Sequence, residues 1–65
     1  MTAVLVCDDA PHMRALLREA LDADPVLHVV GEAGDGHDAL GKAQELQPDV
    51  VLLDIGMPGP APGGR

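Results

Sequence analysis

Two short apolar runs that each stop at an aspartate, with two helix-like stretches and a β-branched run between them, predict an α/β chain of order β-α-β-α-β. Each pair of successive strands is separated by a helix, so the strands must run parallel in one sheet.

The first run, Ala3-Val4-Leu5-Val6-Cys7, is continuously apolar and ends at Asp8-Asp9, as a strand buried on both faces would. Pro11 then suits the first turn of a helix, with Asp9 a candidate cap just upstream. Met13, Leu16, Leu17, Ala20 and Leu21 recur at helical spacing and form one apolar stripe, while Arg14, Arg18 and Glu19 face elsewhere. The helix is expected to reach Asp22, with Asp24-Pro25 as its stop signal. A second strand is expected from Val26 to Val30, ended by Gly31 and the turn-forming Gly34-Asp35-Gly36. Asp35 or His37 opens the second helix, whose apolar face is Ala39, Leu40, Ala43 and Leu46, whose interior weakness is Gly41, and whose end is Pro48. Val50-Val51-Leu52-Leu53 is the third strand, read as buried, and it stops at Asp54. The segment from Gly59 to Arg65 has no periodic apolar pattern and is rich in Pro and Gly, so residues 59–65 are expected to form a disordered tail.

With 65 residues the chain has room for one small domain at most, and it contains no Phe, Tyr or Trp. Eleven Asp and Glu against four Lys and Arg give a formal charge of −7, which argues against binding nucleic acid or an anionic membrane surface and suits a hard cation such as Mg²⁺. A single cysteine, Cys7, in an apolar run fits a reduced, cytoplasmic protein. His12, His28 and His37 lack metal-ligand spacing. No stretch is long and apolar enough for a membrane helix, and the N-terminus does not resemble a signal peptide.

Right-handed crossovers leave few arrangements for three such strands. In the flavodoxin-like order 2-1-3 the first strand is central and the two helices cover opposite faces. The switch point, where ligands bind beyond the strands' C-terminal ends, then lies between the first and third strands. Asp8, Asp9 and Asp54 all stand there. An aspartate between a strand and a helix is often only a cap, and each of these alone is ambiguous. Together they repel one another unless a cation offsets them, and a cation held there could also neutralise an incoming phosphoryl group. Asp54 is then placed as a nucleophile that forms an aspartyl-phosphate.

Val4-Leu5-Val6-Cys7-Asp8-Asp9, Gly31-Glu32-Ala33-Gly34-Asp35-Gly36 and Pro48-Asp49-Val50-Val51-Leu52-Leu53-Asp54-Ile55-Gly56-Met57-Pro58-Gly59 together resemble a response-regulator receiver domain of two-component signalling. The resemblance covers residues 3–59 and is nearest to receivers that precede a helix-turn-helix DNA-binding domain. It implies that Asp54 is the phosphoacceptor, that Asp9 ligates Mg²⁺ directly, that Asp8 helps partly through water, and that the Gly56 backbone carbonyl is a further ligand. It also implies a sensor histidine kinase as phosphoryl donor, with another receiver domain as a second partner.

The departures from the family pattern define a second set of expectations. Receivers use a Ser or Thr after the fourth strand and a Lys after the fifth to hold phosphoryl oxygens, whereas this chain has no Ser, only Thr2, and only Lys42. The family's aromatic switch residue is missing, and Gly56 lacks the side chain that usually influences phosphoryl lifetime. Residues 1–58 are therefore expected to be the N-terminal half of a receiver, a non-enzymatic phosphorelay module truncated after the third strand. The alternatives are a non-phosphorylatable binding or decoy module and an inactive remnant of a disrupted response-regulator gene. A dehalogenase-type phosphotransfer enzyme would need a carboxylate at position 56, and a phosphate-binding loop would need Gly-Lys-Ser/Thr after the glycines; neither is present.

Overall fold

The computed structural model describes residues 1–54. The expected disorder of residues 59–65 and the Gly56 carbonyl lie outside the described residues. Five elements follow in order: β1 (Thr2–Asp8), α1 (Pro11–Asp22), β2 (Leu27–Ala33), α2 (Gly36–Leu46) and β3 (Val50–Asp54).

The strands form one parallel sheet in the order β2-β1-β3, so the longest apolar run, that of β1, occupies the centre. Val4 to Asp8 of β1 are buried. Because side chains alternate along a strand, Val4 and Val6 join Val29 on one face, where Leu17 and Leu21 of α1 pack with Leu27 and Leu52. Cys7 faces the other way and packs with Ala33 and with Ala39 of α2. The two helices thus cover opposite faces, as right-handed crossovers to either side of a central strand require.

The second strand differs from expectation. It starts at Leu27, not Val26, and passes through Gly31 to Ala33. Val4 pairs with Val29 but Leu5 with Gly31, so Val30 is an extra residue at a bulge. Gly31 reads as a breaker in sequence, yet here it permits close packing. A Cβ at this position would come within 2.7 Å of Leu46 Cδ1 and 3.4 Å of Leu5 Cδ1.

The helix ends also correct one expectation. Asp9 does not cap α1; Ala10 holds that position without a side-chain cap, and Pro11 begins the helix. The Asp8 carboxylate takes the Ala10 N–H at 2.8 Å, and Pro11 has no N–H to satisfy, so little is left for Asp9 to cap. At α2 the cap is Asp35, whose Oδ1 accepts from the Asp38 N–H at 2.7 Å. Asp35→Ala is therefore expected to lower stability by about 1 kcal/mol while Asp35→Asn changes little, a contrast that urea midpoints measure. The helix closes at Gln47, whose N–H still reaches the Ala43 carbonyl at 2.9 Å and whose left-handed backbone (φ 49°) then turns the chain out of the helix.

The apolar faces are less covered than their patterns suggest. Leu17 and Leu21 of α1 are half-buried but Leu16 and Ala20 are exposed; on α2, Ala39 is buried and Leu40 exposed. The third strand, read as buried, is not. Val50, Val51 and Leu53 are 45%, 38% and 58% exposed, and only Leu52, over the α1 face, is half-buried. The reason is position: among the described residues β3 pairs only with β1 and forms the sheet edge. Asp49 fastens its start, its N–H donating to the Ala3 carbonyl at 2.8 Å and its Oδ2 accepting from the Ala3 N–H at 2.7 Å.

Candidate functional site

The site is built from strand ends. Parallel pairing of β1 with β3 sets Val4 opposite Val50 and carries the register without a break to Asp8 opposite Asp54. The two aspartates therefore end neighbouring strands at the same level, at the switch point of the sheet.

Asp8 is 3% exposed, the one buried charged residue among those described. Its Oδ1 accepts from Ala10, and no described group donates to Oδ2. A buried carboxylate with one oxygen left over is costly unless a donor or cation completes it, and a hard divalent cation is a fitting partner for such an oxygen. Asp9 follows immediately and is exposed, a carboxylate on the solvent side of the same turn. Asp8, Asp9 and the end of β3 at Asp54 are thus brought to one corner of the sheet, while Gly56 lies outside the described residues. Among the described residues no group of three His, Cys, Asp or Glu side chains is clustered closely enough to constitute a metal centre by itself. The donor set nevertheless suits Mg²⁺, which takes few protein carboxylates and retains several waters.

Two residues that sequence reasoning passed over stand behind this corner. Arg14 Nη1 donates to the Asp8 carbonyl at 2.7 Å, and Arg14 Nε pairs with Glu32 Oε1 at 3.5 Å. Glu32 Oε2 also pairs with Arg18 at 2.6 Å. Arg14 falls beside the apolar stripe of α1, so periodicity assigns it to solvent. The available signal was its place one turn after Ala10, because helical side chains lean back towards the helix N-terminus.

The residues dismissed as phosphoryl ligands are indeed elsewhere. Thr2 begins β1, at the end of the sheet opposite Asp8. Lys42 Nζ donates to the Glu32 carbonyl and pairs with Asp38 at 3.2 Å, on the β2 side of the central strand and away from β3. His12, His28 and His37 are exposed on three different elements. A cleft lined by Gly36, Ala39, Leu40, Ala43, Val51 and Leu53 is almost wholly apolar, and among the described residues no carboxylate lines it.

Cys7 lies one residue before the acidic pair and is fully buried, its thiol donating to the Asp35 carbonyl at 3.3 Å. Burial pushes the thiol up, the Asp35, Asp38 and Asp8 carboxylates push it further, and the Arg14 guanidinium opposes them. The folded chain therefore holds the thiol proton more tightly than the unfolded chain does. The resulting stability is complete below the ordinary thiol range, about pH 8.5, and is lost as the pH rises towards the raised value. The urea midpoint is expected to fall across that window, and Cys7→Ala to remove that part of the slope. A thiol reagent should label the native chain slowly and the unfolded chain at once.

The family model described as response regulator receiver domain matches residues 4–63. The chain belongs to the response-regulator receiver family. It is a receiver domain sequence of two-component signalling, with the parallel 2-1-3 sheet expected from the alternation of strands and helices. Curated relatives include a protein-glutamate methylesterase/protein-glutamine glutaminase of Symbiobacterium thermophilum, 58% identical over 55 residues, which are 85% of this chain and 15% of that protein. Proteins of the same name from Agrobacterium fabrum and Pyrococcus horikoshii are 50% identical over 58 residues and 49% over 55, covering 89% and 85% of this chain and 16% and 15% of theirs. The receiver thus spans about one-sixth of the length of these relatives. No solved structure matches it significantly. The expected kinship with helix-turn-helix response regulators finds no support in these names. No described helix is long and apolar enough to cross a membrane.

Proposed function

We propose that this receiver accepts a phosphoryl group on Asp54, with Mg²⁺ held by Asp8, Asp9, Asp54 and the Gly56 carbonyl. The observation that carries the reading is the unbroken β1–β3 register, which ends on Asp8 opposite Asp54 and so joins the acidic pair to the acceptor position. The spare oxygen of buried Asp8 supports the cation. An Asp54 carboxylate oxygen attacks phosphorus, the donor leaves with its bonding electron pair, and an acyl phosphate remains. Mg²⁺ would supply charge neutralisation between the carboxylates and the incoming phosphoryl oxygens. Residues 1–58 supply the acceptor half of the domain, and the phosphoryl-holding hydroxyl and lysine come from outside these residues.

The donor is a sensor histidine kinase in the cytoplasm, and a second receiver is the other expected partner; the charge of −7 opposes nucleic acid and anionic membranes. This chain is the signalling input and performs no hydrolytic reaction of its own. For the output coupled to it, we favour a methylesterase or glutaminase module, as the relatives are named, over the helix-turn-helix module suggested by the motifs. A phosphorylation-dependent change in glutamate methyl ester hydrolysis, and none in DNA binding, is the result that supports this choice.

The acceptor assignment is tested by phosphoryl transfer from acetyl phosphate with Mg²⁺, followed by intact mass and repeated on Asp54→Asn. A decoy module would bind a kinase or receiver and take up no phosphate, and the same measurement separates the two. Labelling that persists in Asp54→Asn refutes the assignment.

A further inference from the structure

We infer that Arg14 is a positioning residue for the divalent cation site: it holds the strand end that bears Asp8 and Asp9 in the geometry that binds the metal. The inference rests on the reading of those aspartates as metal ligands. Its basis is a set of contacts that tie three elements together at one point. The guanidinium of Arg14, on α1, donates through Nη1 to the carbonyl of Asp8, the last residue of β1. Through Nε it pairs with Glu32 near the end of β2. The same Nη1 lies against Gly34, where a Cβ would approach it to 3.3 Å, so the backbone leaves room for the arginine.

The turn between β1 and α1 needs such an anchor. No side chain caps α1, and Ala10, which holds the cap position, offers no side-chain group to fasten the helix to the strand. The turn is instead held from Asp8, by its carboxylate on the Ala10 N–H and by its carbonyl under Arg14. The first bond turns Oδ1 to the Ala10 N–H and so orients the Asp8 carboxylate. The second fixes the peptide unit that leads into Asp9, and with it the direction in which the Asp9 carboxylate leaves the strand. A planar guanidinium presents Nη1 and Nε in a fixed fork, one to the carbonyl and one to the carboxylate, and the single nitrogen of an ammonium does not reproduce that geometry. Arg14 is only 22% exposed and Glu32 31%, so the pair is more ordered than a fully solvated surface ion pair.

Charge alone makes the opposite prediction. Arg14 is a cation beside a cation site, so removing it should tighten metal binding if its field were what mattered. If it positions the ligands, removing it weakens binding. Groups that hydrogen-bond to metal-ligating residues typically contribute about 10- to 100-fold to metal affinity.

The test is to titrate the full chain with Mn²⁺, an oxygen-seeking substitute for Mg²⁺ whose free ion is counted by its paramagnetic resonance signal. Wild type is compared with Arg14→Gln, Arg14→Lys and Asp9→Asn, with helical circular dichroism recorded for each. Arg14→Gln is expected to bind Mn²⁺ at least ten-fold more weakly, and Arg14→Lys also more weakly than wild type although its charge is kept. Unchanged or tighter binding by Arg14→Gln with its helicity intact overturns the proposal. If Arg14→Gln loses its helicity, Arg14→Lys decides: weaker binding supports the proposal, and equal or tighter binding overturns it. Absence of saturable, Asp9-dependent binding in wild type overturns the metal-site reading itself and takes the proposal with it. Asp9-dependent binding that is indifferent to Arg14 overturns the positioning role alone.

Discussion

Asp54→Asn is expected to abolish phosphoryl uptake from acetyl phosphate, because the neutral amide replaces the only carboxylate at the end of β3 with a group that has no nucleophilic charge. In the unaltered 65-residue chain the reaction should proceed but slowly. Transfer spreads charge over the phosphoryl oxygens, and preorganised donors that meet this charge supply much of the acceleration in such reactions. The chain has no serine; its single threonine starts β1, and its single lysine is engaged by Glu32 and Asp38 on the β2 side. Loss of one preorganised contact typically costs about 3–4 kcal/mol, a factor of roughly 10²–10³ in rate. Labelling by residues 1–65 alone should be slower by at least that factor than labelling of the same residues continued into two further receiver strands that bring a hydroxyl and a lysine. Stoichiometric labelling at equal rates would show that Asp54 and its cation suffice.

Leu5→Ala is the substitution expected to unfold the chain. Leu5 is 0% exposed in the central strand, faces α2 and touches the Gly31 position across the bulge. Removing a buried leucine side chain typically costs about 2–5 kcal/mol, through lost burial and the cavity left behind. At roughly 0.05–0.15 kcal/mol per residue, a chain of this size has about 3–10 kcal/mol in total, and one this short with no aromatic side chain belongs at the lower end, where such a loss unfolds it. Leu16→Ala is the control: Leu16 belongs to the same sequence pattern but is 57% exposed on α1, and its loss should change stability by no more than about 0.5 kcal/mol. Circular dichroism against urea distinguishes the two directly. A similar loss from both variants would mean that the exposed face of α1 is covered in solution.

That contrast shows how sequence and structure divide the information. Leu5 and Leu16 are equivalent in hydropathy, and both fall in correctly placed elements. Neither pattern reports that one lies in a central strand between two helices while the other faces away from the sheet. Val51 and Leu53 make the same point at the edge. Their unbroken apolar run is that of a buried strand, yet burial depends on neighbours, and β3 pairs only with β1 among the described residues.

The element order, the parallel sheet and the family membership were readable because they depend on local signals: apolar runs of strand length, helical spacing between them, and aspartates where the runs stop. Chain crossover rules then place Asp8 and Asp54 together, since handedness and the short connections leave few other arrangements. The cap of α1 was misread because an aspartate upstream of a helix is a good local cap, and only the folded turn shows Asp8 occupying the Ala10 N–H. Gly31 was misread as a strand end because local propensity does not include Leu46, which is 15 positions later and sets a methyl close to where a Cβ would stand. Arg14 was assigned to solvent because periodicity sorts residues by face and cannot register a side chain that leans back to a strand carbonyl and a glutamate 18 positions away. What is local in the chain, meaning strand, helix and the aspartates that end β1 and β3, follows from composition and spacing. What joins distant segments, namely the β1–β3 register, the bulge beneath Leu46 and the arginine behind the acidic corner, exists only once loop closure and packing have brought those segments within hydrogen-bonding distance.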